Sequence, residues 1–466
     1  MNPDPEIVAS LSKSVKTANM GIVAHYYMDV ELQSILNAVG GDRVAIADSL
    51  AMGDAAVRMV ESGDVKAIAC LGVDFMAESV QAILGRAGYG HIPVYRLDTR
   101  SIGCSLAESA ERPAYRAWLQ KRSREENPNG LLHVVYINTS LETKATASST
   151  VPTITCTSSN VVKTMLQASA QQPGIRILYG PDTYMGENLV TFFDGICNSS
   201  EWSDEKIAEE LHPSHNNETL RRLRDSIDVF PNGNCVVHHM FGSDVVENVR
   251  QNYSDAYVTA HLEVPGEMFE IAMEKSMVGM GTVGSTSDIL KFISKKVSEA
   301  ASSPSVTGRK RLKFILGTEA GMITSIVKSV QGILDLSKNS VEAEIIFPVA
   351  TEAITAVDES DSAGLSIVPG VSGGEGCSTA GGCATCPFMK MNDIDKLSDV
   401  VEMVGSDSSH ISLEKHLPPR RLHGKTLNGV SATELGVQPI IYMRQFMKES
   451  TIPDELMAKA QACSAS

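Results

Sequence analysis

The 466-residue sequence has no surplus of positive charge, no long apolar run and no dense set of cysteines. Lys and Arg number 40 against 56 Asp and Glu, a formal net charge of −16. That balance argues against a general nucleic-acid or anionic-membrane surface and leaves room only for a local basic pocket. The apolar runs stay well short of the roughly 18 residues a membrane helix needs. Met1-Asn-Pro-Asp-Pro5 carries neither the basic start nor the apolar stretch of a secretory leader. A soluble intracellular or organellar-matrix protein is expected, with no nucleic-acid and no membrane partner. The nine cysteines, at 70, 104, 156, 197, 235, 377, 383, 386 and 463, are an odd number spread through a large chain. That is unlike a secreted disulfide scaffold, and several suit plain buried small hydrophobes. The glycine-rich phosphate-binding loop is also missing.

What is present is apolar material, 43% of residues, with 36 glycines, enough for a large core divided into about two to four domains. Short apolar runs repeatedly end in small, polar or catalytically capable residues and lead into helical patterns. Examples are GIVAHYYMD (21–29), VAIADSLAMGD (44–54), AIACLGVDFMAES (67–79), HVVYINTSLETKA (133–145), TITCTSSNVVKTM (153–165), RILYGPDTYMGEN (176–188), NCVVHHMFGSD (234–244), AYVTAHLEVPGE (256–267), MVGMGTVGSTSDIL (277–290) and KFILGTEAGMITSI (313–326). Such runs joined by helical crossovers describe parallel strands buried on both faces, with ligands gathering beyond their carboxyl ends. Cys104, Cys235 and Cys386 close three stretches of similar size. The expected fold is α/β: either an ordinary doubly wound architecture with cysteines scattered by chance, or three similar α/β/α sandwich domains in a pseudo-threefold arrangement around a central active site, which would bring three strand-end loops to one point. Residues 1–104 would form the first domain, with 390–466 packing back on it, 105–236 the second and 237–389 the third. Segments 295–311 and 356–364 suit solvated loops, and 411–426 suits a surface strap.

The Cys-x-x-Cys of GGCATCPFMKMND (381–393) can be a redox dithiol, half of a zinc site or the carrier of one iron–sulfur ligand. A redox pair needs a thioredoxin-like setting, whereas Cys383 follows a flexible glycine-rich stretch. Structural zinc needs two further clustered ligands, and a Cys235/His238 pair lacks its natural companions. Cys104, Cys235 and Cys386 make a three-thiolate site possible. Three thiolates around a four-iron cluster leave one iron open as a Lewis acid.

The motifs AHYYMD, ADSLAMG, GVDFMAES, GCSLAES, VYINTSLETKA, CTSSN, GPDTYMGEN, CVVHH, AHLEV, GSTSD, GTEAGM and CPFMKMN, in that order, resemble the quinolinate synthase family, and plant plastid forms in particular. The resemblance spans roughly residues 20–400. It implies a transferase of NAD biosynthesis that condenses iminoaspartate with dihydroxyacetone phosphate to quinolinate, phosphate and water. It further implies one [4Fe-4S] cluster per chain on Cys104, Cys235 and Cys386, whose open iron assists the dehydration. A homodimer in the plastid stroma, served by iron–sulfur assembly or sulfur-transfer proteins, is also implied by it. Cys383 would be a neighbour able to pair with Cys377 or Cys386.

The same resemblance assigns catalysis to Glu263, Tyr136, Tyr27 and His261, and substrate binding to His25, Ser49, Asn138, Ser158, His238, Ser285 and Thr286. Glu263 would shuttle protons, helped by Tyr136. His25 would give a charge-assisted hydrogen bond to a carboxylate or phosphate. The spacing in His25-x-Tyr27, Tyr136-x-Asn138 and His261-x-Glu263 points each pair to one side if the strands continue extended. Each hydroxyl taken singly suits a helix cap equally well. The family motif usually reads His-Pro-Glu-Cys, whereas this chain has His261-Leu-Glu-Val264, which alters the backbone but keeps both proton-transfer groups. Another cluster-dependent hydro-lyase, or a non-catalytic iron–sulfur scaffold, stands as the alternative.

Overall fold

The structure is a computed structural model that describes residues 3–302, 310–337, 341–348, 386–406 and 410–463. Cys377, Cys383 and the loop 356–364 lie outside the described residues. Among the described residues, twelve strands form three parallel sheets. The first holds β1 (Met20–His25), β2 (Val44–Ala47), β3 (Ala67–Leu71) and β4 (Val94–Arg96) in the order β2-β1-β3-β4. The second holds β5 (Leu131–Tyr136), β6 (Thr153–Cys156), β7 (Arg176–Gly180) and β8 (Ile227–Val229) in the order β6-β5-β7-β8. The third holds β9 (Tyr257–His261), β10 (Gly281–Gly284), β11 (Lys310–Gly317) and β12 (Val341–Ile346) in the order β10-β9-β11-β12. One topology is thus written three times. Every residue of β1, β3 and β5 is buried, as strands covered by helices on both faces require.

Register decides where the polar strand ends emerge. The last residue of each sheet's first strand pairs with the last residue of its second: His25 with Ala47, Tyr136 with Cys156 and His261 with Gly284. The polar residues beyond both strands therefore lie side by side at the carboxyl edge. Helices start at once, because short acceptors cap them there. Asp29 accepts from the Glu31 amide, Asp48 from those of Leu50 and Ala51, and Ser140 from that of Thr143.

One expected strand is absent. NCVVHHMFGSD contains a short 3-10 turn, His238–Met240, and the start of a helix at Ser243, and Val236 is exposed. The fourth strand of the second sheet is the three-residue Ile227–Val229, followed by Phe230, which packs into the core around Tyr115 and Leu178. An apolar pair without a partner strand does not make a ladder.

The chain condenses into two compact units. One comprises Met1–Gly103 with Val236–Pro418 and carries the first and third sheets; the other comprises Cys104–Cys235 with Pro419–Ser466 and carries the second. The stretch expected to return whole to the first sheet is divided between them. Residues 415–417 are pinned to β4, with the Arg96 amide donating to the His416 carbonyl at 2.7 Å and its guanidinium to Lys415 and Leu417 carbonyls. The helix Ala432–Glu449 instead packs on the helix Leu141–Ser148 and on β6 in the other unit. Among the described residues no helix is long and apolar enough to cross a membrane.

Candidate active site at the strand ends

In the unit holding the first and third sheets, His25 and His261 end their strands in the same way. The Tyr27 amide donates to His25 Nδ1 at 3.2 Å, and the Glu263 amide donates to His261 Nδ1 at 3.3 Å. Each bond fixes the tautomer with the proton on Nε2. The chain does not stay extended here. It turns back, with the Met28 amide on the His25 carbonyl and the Val264 amide on the His261 carbonyl, so a local N–H···N bond rather than strand alternation couples each pair. Leu262, where proline is usual, uses its amide on the Gly284 carbonyl at 3.2 Å. Tyr26 and Ile137 make the same bond in their own sheets. Proline could not supply it, so the leucine lengthens the ladder by one rung.

Glu263 lies between two imidazoles. Its Oε2 is 2.9 Å from His238 Nδ1 and its Oε1 is 3.9 Å from His261 Nδ1, and the two rings stack with centroids 4.9 Å apart. His238, His261 and Glu263 are 1%, 1% and 3% exposed. The close approach of Glu263 to His238 falls outside hydrogen-bond alignment, and neither ring nitrogen of His238 makes a hydrogen bond among the described residues. Burial pushes His25 and His261 down to about 4, with the Glu263 charge opposing the shift in both. Both are neutral near pH 7. A hydrogen bond from His25 to an anionic ligand would then take its charge from the ligand alone.

The hydroxyl residues divide. Ser285 is a helix cap: its Oγ donates to Asp288 Oδ2 at 2.6 Å and accepts from the Asp288 amide at 3.3 Å, and Thr286 begins the helix. Ser49 is buried at the start of its helix, but Asp48 performs the capping there. In the other unit Ser158 is half-buried, between Thr157 and Ser159, whose hydroxyls pair with each other at 2.9 Å. Tyr136 ends β5 and is buried, while Asn138 is half-buried in the loop beyond it.

That loop depends on a residue the sequence did not single out. Lys144 is fully buried, and its Nζ donates to the Ile137 carbonyl at 3.1 Å and to Thr139 Oγ1 at 2.8 Å. Its one signal is a lysine on the inward face of an otherwise small-residue helix. Glu319, fully buried at the end of β11 in GTEAGM, was likewise missed; burial pushes it up to about 8.

The cysteines sort by environment. Cys70, Cys156 and Cys197 are buried and free, and burial pushes the Cys70 thiol up to about 12 and raises Cys156 and Cys197 too, as for inert core residues. Cys104, Cys235 and Cys386 are half-buried, each after the fourth strand of its sheet. In the unit carrying Cys104, Ser105 Oγ donates to the Asn234 carbonyl at 3.1 Å and Ser109 Oγ to the Asn232 carbonyl at 2.6 Å. The residue after Cys104 is thereby tied to the residue before Cys235.

The family model described as "Quinolinate synthetase A protein" matches residues 9–421. The chain is 46% identical over 475 residues to "Quinolinate synthase, chloroplastic" of Oryza sativa subsp. japonica, covering 98% of this chain and 65% of that protein. The protein of the same name from Nicotiana tabacum is 45% identical, with 98% and 63% covered, and that from Arabidopsis thaliana 44%, with 99% and 64%. The chain thus spans a little under two thirds of the length of these relatives.

Proposed function

Because the chain belongs to the quinolinate synthetase A family, we propose that it joins iminoaspartate to dihydroxyacetone phosphate, releasing quinolinate, inorganic phosphate and water for NAD biosynthesis. The observation that carries this reading is the buried group His25, His238, His261 and Glu263 at the carboxyl ends of β1 and β9 and on the adjoining turn. Leaving a buried polar group unpaired costs about 1–3 kcal/mol. His238 bears that cost among the described residues, which suits a site completed by a polar ligand.

The residues then take these roles. The Nε2–H groups of His25 and His261 donate to carboxylate or phosphate oxygens. Tyr27, coupled to His25, positions the condensed intermediate. Glu263 removes and returns protons during tautomerisation and loss of water, and Tyr136 supplies a second proton at its phenol. Asn138 reads a carboxylate through its amide, and Ser49, Ser158, Ser285 and Thr286 offer hydroxyls. Ser285 does so only by sharing its bond to Asp288.

Three half-buried thiols, each after a fourth strand and two of them on adjoining, hydrogen-bonded segments, fit a three-cysteine iron–sulfur site. Cys104, Cys235 and Cys386 would hold one [4Fe-4S] cluster. When bound, the cluster supplies Lewis acidity at the iron that no cysteine ligates. The three like-ordered sheets support a three-domain, pseudo-threefold arrangement. By likeness to the chloroplast relatives, the proposed setting is the plastid stroma. A homodimer served by iron–sulfur assembly proteins completes the reading.

A second reading is a single divalent ion on His238 and Glu263, favoured by their 2.9 Å approach. The test is anaerobic loading with iron and sulfide, then incubation with both substrates. Quinolinate formed by the loaded protein, and lost on separate Cys104→Ala, Cys235→Ala or Cys386→Ala substitution, bears out the proposal. A loaded protein that makes none sinks it. Bound metal without bound sulfide favours the second reading.

A further inference from the structure

Glu319, Gly321 and Gln33 form a chain of backbone contacts with no part in the chemistry above. Glu319 is fully buried at the end of β11. One carboxylate oxygen, Oε1, accepts the Cys386 amide at 2.8 Å, and the other, Oε2, accepts the Gly321 amide at 3.1 Å. Gly321 in turn presents its carbonyl to Gln33 Nε2 at 3.1 Å. The same Gln33 nitrogen, on a side chain 1% exposed, reaches the Tyr26 carbonyl at 2.8 Å and the Met28 carbonyl at 2.7 Å, which flank Tyr27. Packing at this junction is close. A Cβ on Gly321 would stand 2.8 Å from Tyr27 Cα and 2.8 Å from Glu319 Oε2. One continuous set of bonds therefore runs from the backbone of Cys386, through the end of β11, to the turn that carries His25 and Tyr27.

We propose that Glu319 is a positioning residue that fixes the Cys386 thiol relative to the His25–Tyr27 turn. The physical reason is directional. Two backbone amides converge on the two oxygens of one rigid, planar carboxyl group, so Cys386 and Gly321 cannot move independently, and Gln33 hands that constraint to the turn. Glutamine in place of Glu319 keeps one acceptor and turns the second into a donor facing an amide. Alanine removes both. The proposal rests on Cys386 being a cluster ligand, but the hydrogen-bond chain can be tested without the cluster.

The experiment compares wild type, Glu319→Ala, Glu319→Gln and Gly321→Ala in the full chain. In the metal-free protein, hydrogen exchange at the Cys386 amide and alkylation of the Cys386 thiol are measured. In the anaerobically loaded protein, the release of iron to a chelator and the electron paramagnetic resonance spectrum of the reduced cluster are recorded. Glu319→Ala is expected to raise Cys386 exchange and to speed iron release about tenfold or more, the usual scale for residues that orient metal ligands. Glu319→Gln should fall between alanine and wild type, and Gly321→Ala should shift the spectrum in the same direction by less. Alkylation of Cys104 should not change. Wild-type exchange at Cys386 in Glu319→Ala overturns the proposal, as does a rise spread evenly along the chain in all three variants. A wild type that takes up no iron and sulfide counts against the cluster reading of the protein, while exchange at Cys386 still decides for or against the role of Glu319.

Discussion

His133, in the unit built on the second sheet, and His238, in the unit built on the first and third, are equally inaccessible, at 0% and 1% exposure. His133 has both nitrogens engaged: Nε2 lies 2.8 Å from the Tyr115 hydroxyl and Nδ1 lies 3.3 Å from Thr153 Oγ1. His238 has only the misaligned Glu263 oxygen and a stacked imidazole among the described residues. Burial is common to both; what separates them is whether their own unit completes the hydrogen bonds. A histidine completed by its neighbours belongs to the core, and one left incomplete belongs to a site. The strand ends differ along the same line. One unit ends its strands in ionisable groups, His25, His261 and Glu263, and the other in the neutral phenol and amide of Tyr136 and Asn138.

The largest effect should come from the ionisable strand ends. Glu263→Gln keeps the shape and removes the proton acceptor, so kcat should fall about 1,000-fold, within the range for general acid–base groups. Tyr136→Phe, which removes a donor backed by the other unit, should cost about 100-fold or less. Steady-state rates of the loaded enzyme check both. Equal losses would erase the contrast, and a Glu263→Gln enzyme keeping a tenth of its rate would remove Glu263 from the chemistry.

The histidines themselves give the next largest difference. His133→Leu strands the buried Tyr115 hydroxyl and should lower stability by about 2 kcal/mol, read as a shift in the urea midpoint. His238→Leu removes only the misaligned approach of Glu263 and should move stability by less than about 1 kcal/mol while abolishing turnover. If His238→Leu proves the more destabilising of the two, the division between core and site fails.

The sequence made some of this division legible. Ten runs read as strand ends, and nine coincide with strands, because a strand buried on both faces needs a continuous apolar run and leaves a compositional mark. NCVVHHMFGSD misled because Val237 is buried without pairing in a ladder while Val236 is exposed, and the true strand, Ile227–Val229, is too short to show a pattern. The candidate residues His25, His261 and Glu263 could be singled out because they sit where an apolar run stops. Gln33, Lys144 and Glu319 were not. Their partners are main-chain groups, a carbonyl of Gly321 or an amide of Cys386, brought near by the fold, and main-chain partners have no residue identity to read.

Acid should separate folded from unfolded protein in a defined direction. His25 and His261 titrate at about 4 and His133 at about 3 in the folded protein, against about 6.5 when unfolded. The folded pKa is the lower one, so between those values the unfolded state binds more protons. These groups therefore cost nothing above about pH 6.5 and remove stability as pH falls towards 4, at up to about 1.4 kcal/mol per pH unit for each. Urea midpoints measured across that range should fall with acid, and the fall should be shallower in His25→Gln. An unchanged slope in that variant would mean that His25 titrates alike in the folded and unfolded protein.

The smallest difference expected lies between two serines with matching places at the strand ends. Ser285 spends its hydroxyl on Asp288, closing a reciprocal cap, so Ser285→Ala should cost about 1 kcal/mol of stability. At the other position Asp48 already accepts from the Leu50 and Ala51 amides, which leaves the Ser49 hydroxyl outside the cap. Ser49→Ala should therefore leave the urea midpoint within about 0.5 kcal/mol of wild type and act on KM instead. The pair distinguishes a hydroxyl held for the fold from one held for a ligand, although the sequence presents both in the same way, as a serine just past an apolar run. A Ser49→Ala protein with normal KM and lowered stability would reverse the assignment and make Ser285 the stronger candidate for substrate contact.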